Sequence, residues 1–125
     1  MSKQNQPVAF SGRSVTVACT DLDRSRHFYV NVLGAKRLPG DGYGCPWYKL
    51  GSITISLMPN AELTSPSSFP KHAMPMLWLE VEDIELAHNH LKNSSVEIID
   101  FDHTNMMVAD PDGLHIEIWQ KDAGT

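Results

Sequence analysis

Short segments in which apolar and polar residues alternate recur along the chain, a pattern typical of β-strands that are buried on one face. The pattern is clearest at positions 14–19, 52–58, 76–81 and 114–120. From Leu22, apolar residues instead repeat at helical spacing until Gly34, and a second helical pattern begins after Asp83. Further strand patterns stand at 36–38, 47–50, 96–101 and 105–109. We therefore predict strand, helix and three strands, in that order, twice.

The second half of the chain repeats the pattern of the first. Asp21-Leu22-Asp23 and Asp83-Ile84-Glu85 stand 62 positions apart, and each triplet lies between a strand pattern and a helix pattern. A Pro- and Ser-rich linker at 59–73 separates the halves. We predict an α+β fold of two βαβββ modules, at 13–58 and 74–120. They form one domain over 13–125, which follows a flexible tail at 1–12.

The alternation also assigns the two faces of four strands, since successive side chains of a strand point to opposite sides. In the last strand, for example, Ile116 and Ile118 belong to the face that meets a helix. The opposite faces of the four strands carry polar, aromatic and small side chains, among them Ser14, Thr54, Ser56, Met76, Trp78, His115, Glu117 and Trp119. Such a mixed face predicts a cleft for a partly apolar ligand.

Composition narrows the class of protein further. The chain has 125 residues, 42% of them hydrophobic, and a net charge of −5, which argues against disorder and against a basic nucleic-acid surface. Its apolar runs are far shorter than the roughly 20 residues of a membrane span, and the polar N-terminus is not a secretory signal. Cys19 and Cys45 have neither zinc-site nor redox-motif spacing. We expect a cytoplasmic protein, without nucleic-acid or membrane partners.

Two segments carry a resemblance to a known family. The first is Val15 to Ser25 (VTVACTDLDRS) with the Phe28-Tyr29 and Val32-Leu33-Gly34 that follow it, and the second is Val108 to Glu117 (VADPDGLHIE). Together they resemble the vicinal oxygen chelate superfamily, which includes glyoxalase I, bleomycin-resistance proteins and extradiol dioxygenases. The resemblance covers about residues 13 to 120. It implies that the two modules curl their strands into an open cup and that the protein is a homodimer.

The resemblance also implies where a metal ion would bind. In metal-using members, four cup-facing side chains, two from each module, hold one divalent ion. The corresponding positions here are Ser14, Ser56, Met76 and Glu117. Serine hydroxyls are poor ligands for such an ion and a thioether prefers soft copper, so only Glu117 is a competent ligand. We therefore expect neither a metal nor another cofactor, and keep a divalent metal as the alternative.

Glu117 and His115 are the candidate catalytic pair. They stand two residues apart on a strand, so both side chains point into the cup. Glu117 could bind a cationic group of a ligand or orient His115 for acid–base chemistry. The alternative is a pair near the strand edge that is bonded only to water.

The other candidates would bind a ligand rather than react with it. The indoles of Trp78, Trp119 and Trp47 could stack on a planar or cationic molecule, or they could fill the cup or a dimer interface. Four smaller side chains would line the floor of the cup, or would simply be small enough to leave it open: Ser14, Thr54, Ser56 and Met76.

Three functions fit these observations. The first is metal-independent sequestration of a drug or metabolite in the cup, as in the bleomycin-resistance type. The second is a glyoxalase-like lyase or isomerase, or a dioxygenase, with a rearranged metal site around Glu117, His115 and His103. The third is a dimeric interaction module whose cup is filled by its own side chains.

Overall fold

The computed structural model describes residues 8–42, 44–61 and 76–121. The first module consists of β1 (Ser14–Ala18), α1 (Leu22–Arg26) with a π-helical continuation (His27–Val32), β2 (Lys36–Gly42), β3 (Cys45–Leu50) and β4 (Ile53–Met58). The second consists of β5 (Leu77–Val81), α2 (Ile84–Asn93), β6 (Glu97–Asp102), β7 (Asn105–Ala109) and β8 (His115–Gln120). Most of the predicted tail and linker lies outside the described residues, so those boundaries stay predictions.

Each module forms its own four-stranded sheet. The strand orders are β1-β4-β3-β2 and β5-β8-β7-β6. In both sheets the first and last strands of the module pair in parallel, and the other pairs are antiparallel. This topology confirms the predicted α+β fold of two βαβββ modules. Within the described residues, neither helix is long and apolar enough to cross a membrane.

The repeated acidic triplets begin the two helices. Oδ1 of Asp21 accepts a hydrogen bond from the backbone N–H of Arg24 at 3.1 Å. Oδ1 of Asp83 likewise accepts from the N–H groups of Glu85 and Leu86 at 3.0 and 3.2 Å. An N-cap carboxylate satisfies N–H groups that a helix leaves without partners, which explains why the triplet recurs.

The second strand is longer than its sequence pattern predicts. The pattern ends a strand at Leu38, before Pro39-Gly40, whereas β2 continues to Gly42. Because β2 is an edge strand, the missing N–H of Pro39 need not cost a ladder hydrogen bond. The register shifts between Arg37 and Asp41, and this irregularity accommodates Gly40, whose φ is +80°.

Both modules contribute to one hydrophobic core. Its members lie on the helices and on the inner face of each sheet, and include Tyr29, Ile55, Leu57, Ile84, Leu91, Val108, Ile116 and Ile118. The faces opposite this core carry the exposed Trp47, Met58 and Trp78. We call these two faces the cup faces. The candidate site residues of the sheets lie there, as the alternation predicts.

Candidate ligand-binding site

The cup face of the first sheet is built from small residues and one indole. Ser56 of β4 stands opposite Thr16 of β1 and Trp47 of β3, so the three side chains form a row on one face. Trp47 is 40% exposed. Its ring lies against the backbone of Gly42, where an added Cβ would stand 3.0 Å from Cζ2. The glycine therefore makes room for the indole at this edge of the cup.

The equivalent row of the second sheet is aromatic and acidic. Glu117 of β8 stands opposite Trp78 of β5 and Met107 of β7. Nε1 of Trp119 donates a hydrogen bond of 2.7 Å to Oε1 of Glu117. Trp78, opposite Glu117 on the neighbouring strand, is 54% exposed. The half-buried carboxylate thus has two indoles as neighbours, and one of them donates a hydrogen bond to it.

The next row adds a second carboxylate. Trp119 stands opposite Glu80 of β5 and Asn105 of β7, and Glu80 is exposed. Glu80 is not among the predicted site residues, although the alternation of β5 puts it on the same face as Trp78. The module-two cup face therefore presents Glu80 and Glu117 among Trp78 and Trp119.

The remaining predicted residues lie at the ends of these strands. Ser14 stands opposite Thr54, and His115 stands opposite Ala109. Met76 directly precedes β5 and is half-buried. His103 is bonded to Glu85 of α2, which lies on the helix side of the second sheet, away from the face that carries Glu117. The hydrogen bond to Glu85 also raises the pKa of His103.

Within the described residues, the two halves of the predicted site lie on different sheets. Ser14, Thr54, Ser56 and Trp47 lie on the first sheet, and His115, Glu117, Trp78 and Trp119 on the second. Among the described residues, no strand of one sheet pairs with a strand of the other. A cavity of about 450 Å³ lies between the modules, but of all these residues only Trp78 lines it.

The four positions at which the resemblance would place a metal, Ser14, Ser56, Met76 and Glu117, carry side chains that suit a divalent ion poorly. Two are hydroxyls, one is a thioether, and the single carboxylate, Glu117, already accepts a hydrogen bond from Trp119. Within residues 8–42, 44–61 and 76–121, no three or more His, Cys, Asp or Glu side chains form a group that could hold a metal ion.

A buried polar cluster, which the sequence pattern did not predict, joins the two modules. The Tyr29 hydroxyl donates to Oδ2 of Asp110 at 2.8 Å, across 81 positions of sequence. Oδ1 of Asp110 accepts from the N–H groups of Asp112 and Leu114, both at 2.9 Å. Asp110 is 5% exposed, and burial raises its pKa; burial and the neighbouring Asp110 raise that of Tyr29.

Asp112 makes the second set of contacts between the modules. Its Oδ1 accepts from the Thr20 hydroxyl at 2.6 Å and from Nη2 of Arg24 at 2.9 Å. Asp112 lies in the segment 110–114, which connects β7 to β8; its Pro111 and Gly113 are residues that favour a tight turn. A β-turn is favoured by one Asp at its first position, so the second carboxylate, Asp112, was the signal in the sequence for a contact beyond the turn.

Comparison with known proteins identifies the family. Residues 13–118 match the sequence profile of the Glyoxalase/Bleomycin resistance protein/Dioxygenase superfamily, and the chain belongs to this superfamily. The structure is similar to trypanothione-dependent glyoxalase I of Leishmania major, with a TM-score of 0.73 and 27% identity over 90% of this chain and 88% of that one.

Two further solved structures share the fold. One is TnmS3, an antibiotic-binding protein from Streptomyces sp. CB03234, with a TM-score of 0.66 and 23% identity over 91% of this chain and 98% of that one. The other is the fosfomycin resistance protein FosX from Mesorhizobium loti, with a TM-score of 0.70 and 12% identity over 94% and 96% of the two chains. Both enzymes and binding proteins therefore have this fold.

Proposed function

We propose that this protein binds a small aromatic cation, a drug or a metabolite, in its cup, and that it needs no metal to do so. The observation that carries the proposal is the Glu117 carboxylate, held by Trp119 and flanked by Trp78 on the neighbouring strand. A cation over an indole gains about 0.5–2 kcal/mol, more when water is excluded. A carboxylate with two neighbouring indoles is therefore suited to a positively charged aromatic group.

The charges around the cup support the same ligand class. Glu80 stands beside Trp119, so the face offers a second carboxylate to a positively charged ligand. The net charge of −5 adds attraction at long range, which affects the rate of encounter more than the site itself. The first sheet would supply Trp47 as a further stacking surface and the small Thr16 and Ser56 as the floor.

The side chains at the four candidate metal positions support binding without a metal. Glyoxalase I and TnmS3 have the same fold as this chain, so the fold does not decide between catalysis and sequestration. The donor atoms are more informative, because one carboxylate with two hydroxyls and a thioether is a weak set for a divalent ion. We propose sequestration as the outcome.

We further propose that a second copy of the chain completes the cup. In one chain the two cup faces belong to separate sheets, and each leaves a large aromatic side chain exposed. A homodimer in which each cup combines the first module of one protomer with the second of its partner would cover both. Light scattering of the purified protein at micromolar concentration should give twice the mass of the chain. We also propose a cytoplasmic location, since the spacing of Cys19 and Cys45 is typical of neither a zinc site nor a redox motif.

Replacing Glu117 with glutamine should weaken binding of the planar aromatic cation berberine by about tenfold or more, which corresponds to about 1.4 kcal/mol. The amide can still accept the hydrogen bond from Trp119, so the substitution removes the charge and keeps the geometry. Binding is measured by the fluorescence of berberine. The matched control is Glu85→Gln on α2, which makes the same change of charge on the helix side of the sheet.

Equal berberine affinity in Glu117→Gln and in the native chain would contradict the proposed site. Metal content provides a second check. Elemental analysis of the purified protein, and thermal denaturation with added zinc, nickel, manganese or iron, should show no stoichiometric metal and no stabilisation. One bound metal per chain that is lost in Glu117→Gln would instead favour the enzyme with a rearranged site.

A further inference from the structure

We propose that the cavity between the modules is a second binding site, which adjoins the cup at Trp78 and Glu80, for a planar heterocycle that carries a hydrogen-bond donor beside an acceptor. The cavity has a volume of about 450 Å³, within the range of small-molecule sites. Its walls come from both modules: the end of the π-helical segment and the β3–β4 turn on one side, and β5 and α2 on the other.

The interior of the cavity is apolar. Leu91 and Ile118, each 2% exposed, lie at the core side, and the walls are formed by Val32, Leu33, Ile53, Leu79, Val81 and Ala87. Burying a ring against such a surface is favourable by about 25 cal/mol per Å² of apolar area removed from water. An apolar, ring-sized ligand is therefore the chemistry that the interior selects.

The polar groups of the cavity lie at its mouth. Glu80, His90 and Lys121 line it there, together with the half-exposed Trp78. Nε2 of His90 stands 2.8 Å from the carbonyl oxygen of Val32 and donates to it, so the imidazole bridges the two modules at this point. Trp78 offers one indole face to a planar ligand.

The backbone edge of β5 determines which hydrogen-bonding groups a ligand of the cavity should carry. Within the described residues, β5 pairs only with β8, in parallel, and the backbone N–H of Lys121 donates to the carbonyl of Val81. In a parallel pair, alternate residues direct both backbone groups to the same neighbour. Leu79 and Val81 therefore bond to β8, while the N–H and C=O of Trp78 and Glu80 point away from β8, to an edge that no other described strand pairs with. A heterocycle with a donor next to an acceptor matches such an edge.

The probe for this site is 2-quinolinone, a flat bicycle whose ring N–H adjoins its carbonyl. Titration into the ¹⁵N-labelled full chain should shift the amide signals of Trp78 and Glu80 together with those of Leu33 and Ser52. N-methyl-2-quinolinone keeps the ring and the carbonyl but lacks the donor. It should bind about tenfold more weakly, because the open-edge acceptor then loses its partner.

A pair of variants tests the location. Ala87→Phe directs a ring into the cavity and should weaken 2-quinolinone binding by about tenfold or more. Leu86→Phe places a ring on the preceding residue of α2, at a position that is 67% exposed. This variant should bind 2-quinolinone as the native chain does. Ala87→Leu is the milder filling variant if the phenylalanine proves too large to fold.

Three results would overturn the proposal. The first is equal affinity for the two quinolinones on the native chain, a comparison that needs no variant. The second is undiminished binding to a folded Ala87→Phe or Ala87→Leu chain. The third is an absence of shifted signals at the solubility limit of 2-quinolinone, or shifts at Ser56 and Glu117 of the cup without shifts at Leu33 and Ser52 of the cavity.

Discussion

Replacing Asp110 with alanine is expected to lower the free energy of unfolding by about 3–5 kcal/mol. The carboxylate accepts three hydrogen bonds in a site that is 5% exposed, from the Tyr29 hydroxyl and from the N–H groups of Asp112 and Leu114. Alanine would leave all three donors without this acceptor, and an unsatisfied buried donor costs about 1–3 kcal/mol. Urea denaturation followed by circular dichroism measures the loss.

Two substitutions make the Asp110 experiment specific. Asp100→Ala removes an exposed carboxylate from β6 of the same module and should change the free energy of unfolding little. Asp110→Asn can keep the carbonyl acceptor for the two N–H groups and donate its amide hydrogen to the Tyr29 oxygen, so its cost should be much smaller than that of alanine. If the alanine variant is as stable as the Asp100→Ala control, the cluster does not hold the modules together.

The same residue gives stability an unusual pH dependence. Because burial raises the pKa of Asp110 above the ordinary 3.8, the folded chain binds this proton more tightly than the unfolded chain does. Its contribution is therefore fully present below pH 3.8 and is lost as the pH rises through the folded pKa. The Asp110→Asn chain should lack this part of the slope.

Replacing Ile116 with alanine is the second large effect, with an expected cost of about 2–5 kcal/mol. Ile116 is fully buried in β8, the strand that also carries Glu117, and it stands opposite Leu77 and Val108. Alanine would leave a cavity in the shared core, while Ile116→Val should cost only about 0.5–1.5 kcal/mol. Chemical denaturation of the two variants against the native chain measures the difference.

The matched control for the core substitution is Ile99→Ala on β6. Ile99 is 44% exposed, so the same truncation removes less buried surface and leaves no cavity. Its expected cost is about 1 kcal/mol or less. Comparable losses at Ile116 and Ile99 would mean that β8 is not the centre of the packing. The position of Glu117 on a rigid strand would then lose its support.

Local periodicity made much of the fold predictable. Alternation in β8 separated the buried Ile116 and Ile118 from Glu117 and Trp119 because strand geometry has a period of two whatever lies around it. The recurrence of Asp21 and Asp83 indicated two modules, because each Asp is an N-cap and an N-cap depends only on the first turn of its helix. The predicted end of β2 at Leu38 was wrong, because this boundary depends on the position of the strand in the sheet. Whether Pro39 ends a strand depends on whether that strand lies at an edge.

By itself, then, the sequence determined the order of strands and helices, the two modules and the family. The structure added that the Trp119 indole donates to Glu117, its neighbour on the same face of β8. Only the tertiary structure decided that Asp110 meets Tyr29 and that a cavity opens between the modules. The physical reason is one of range. Dihedral preferences and side-chain alternation act over a few residues, whereas the Tyr29–Asp110 contact and the cavity depend on how the two modules pack against each other.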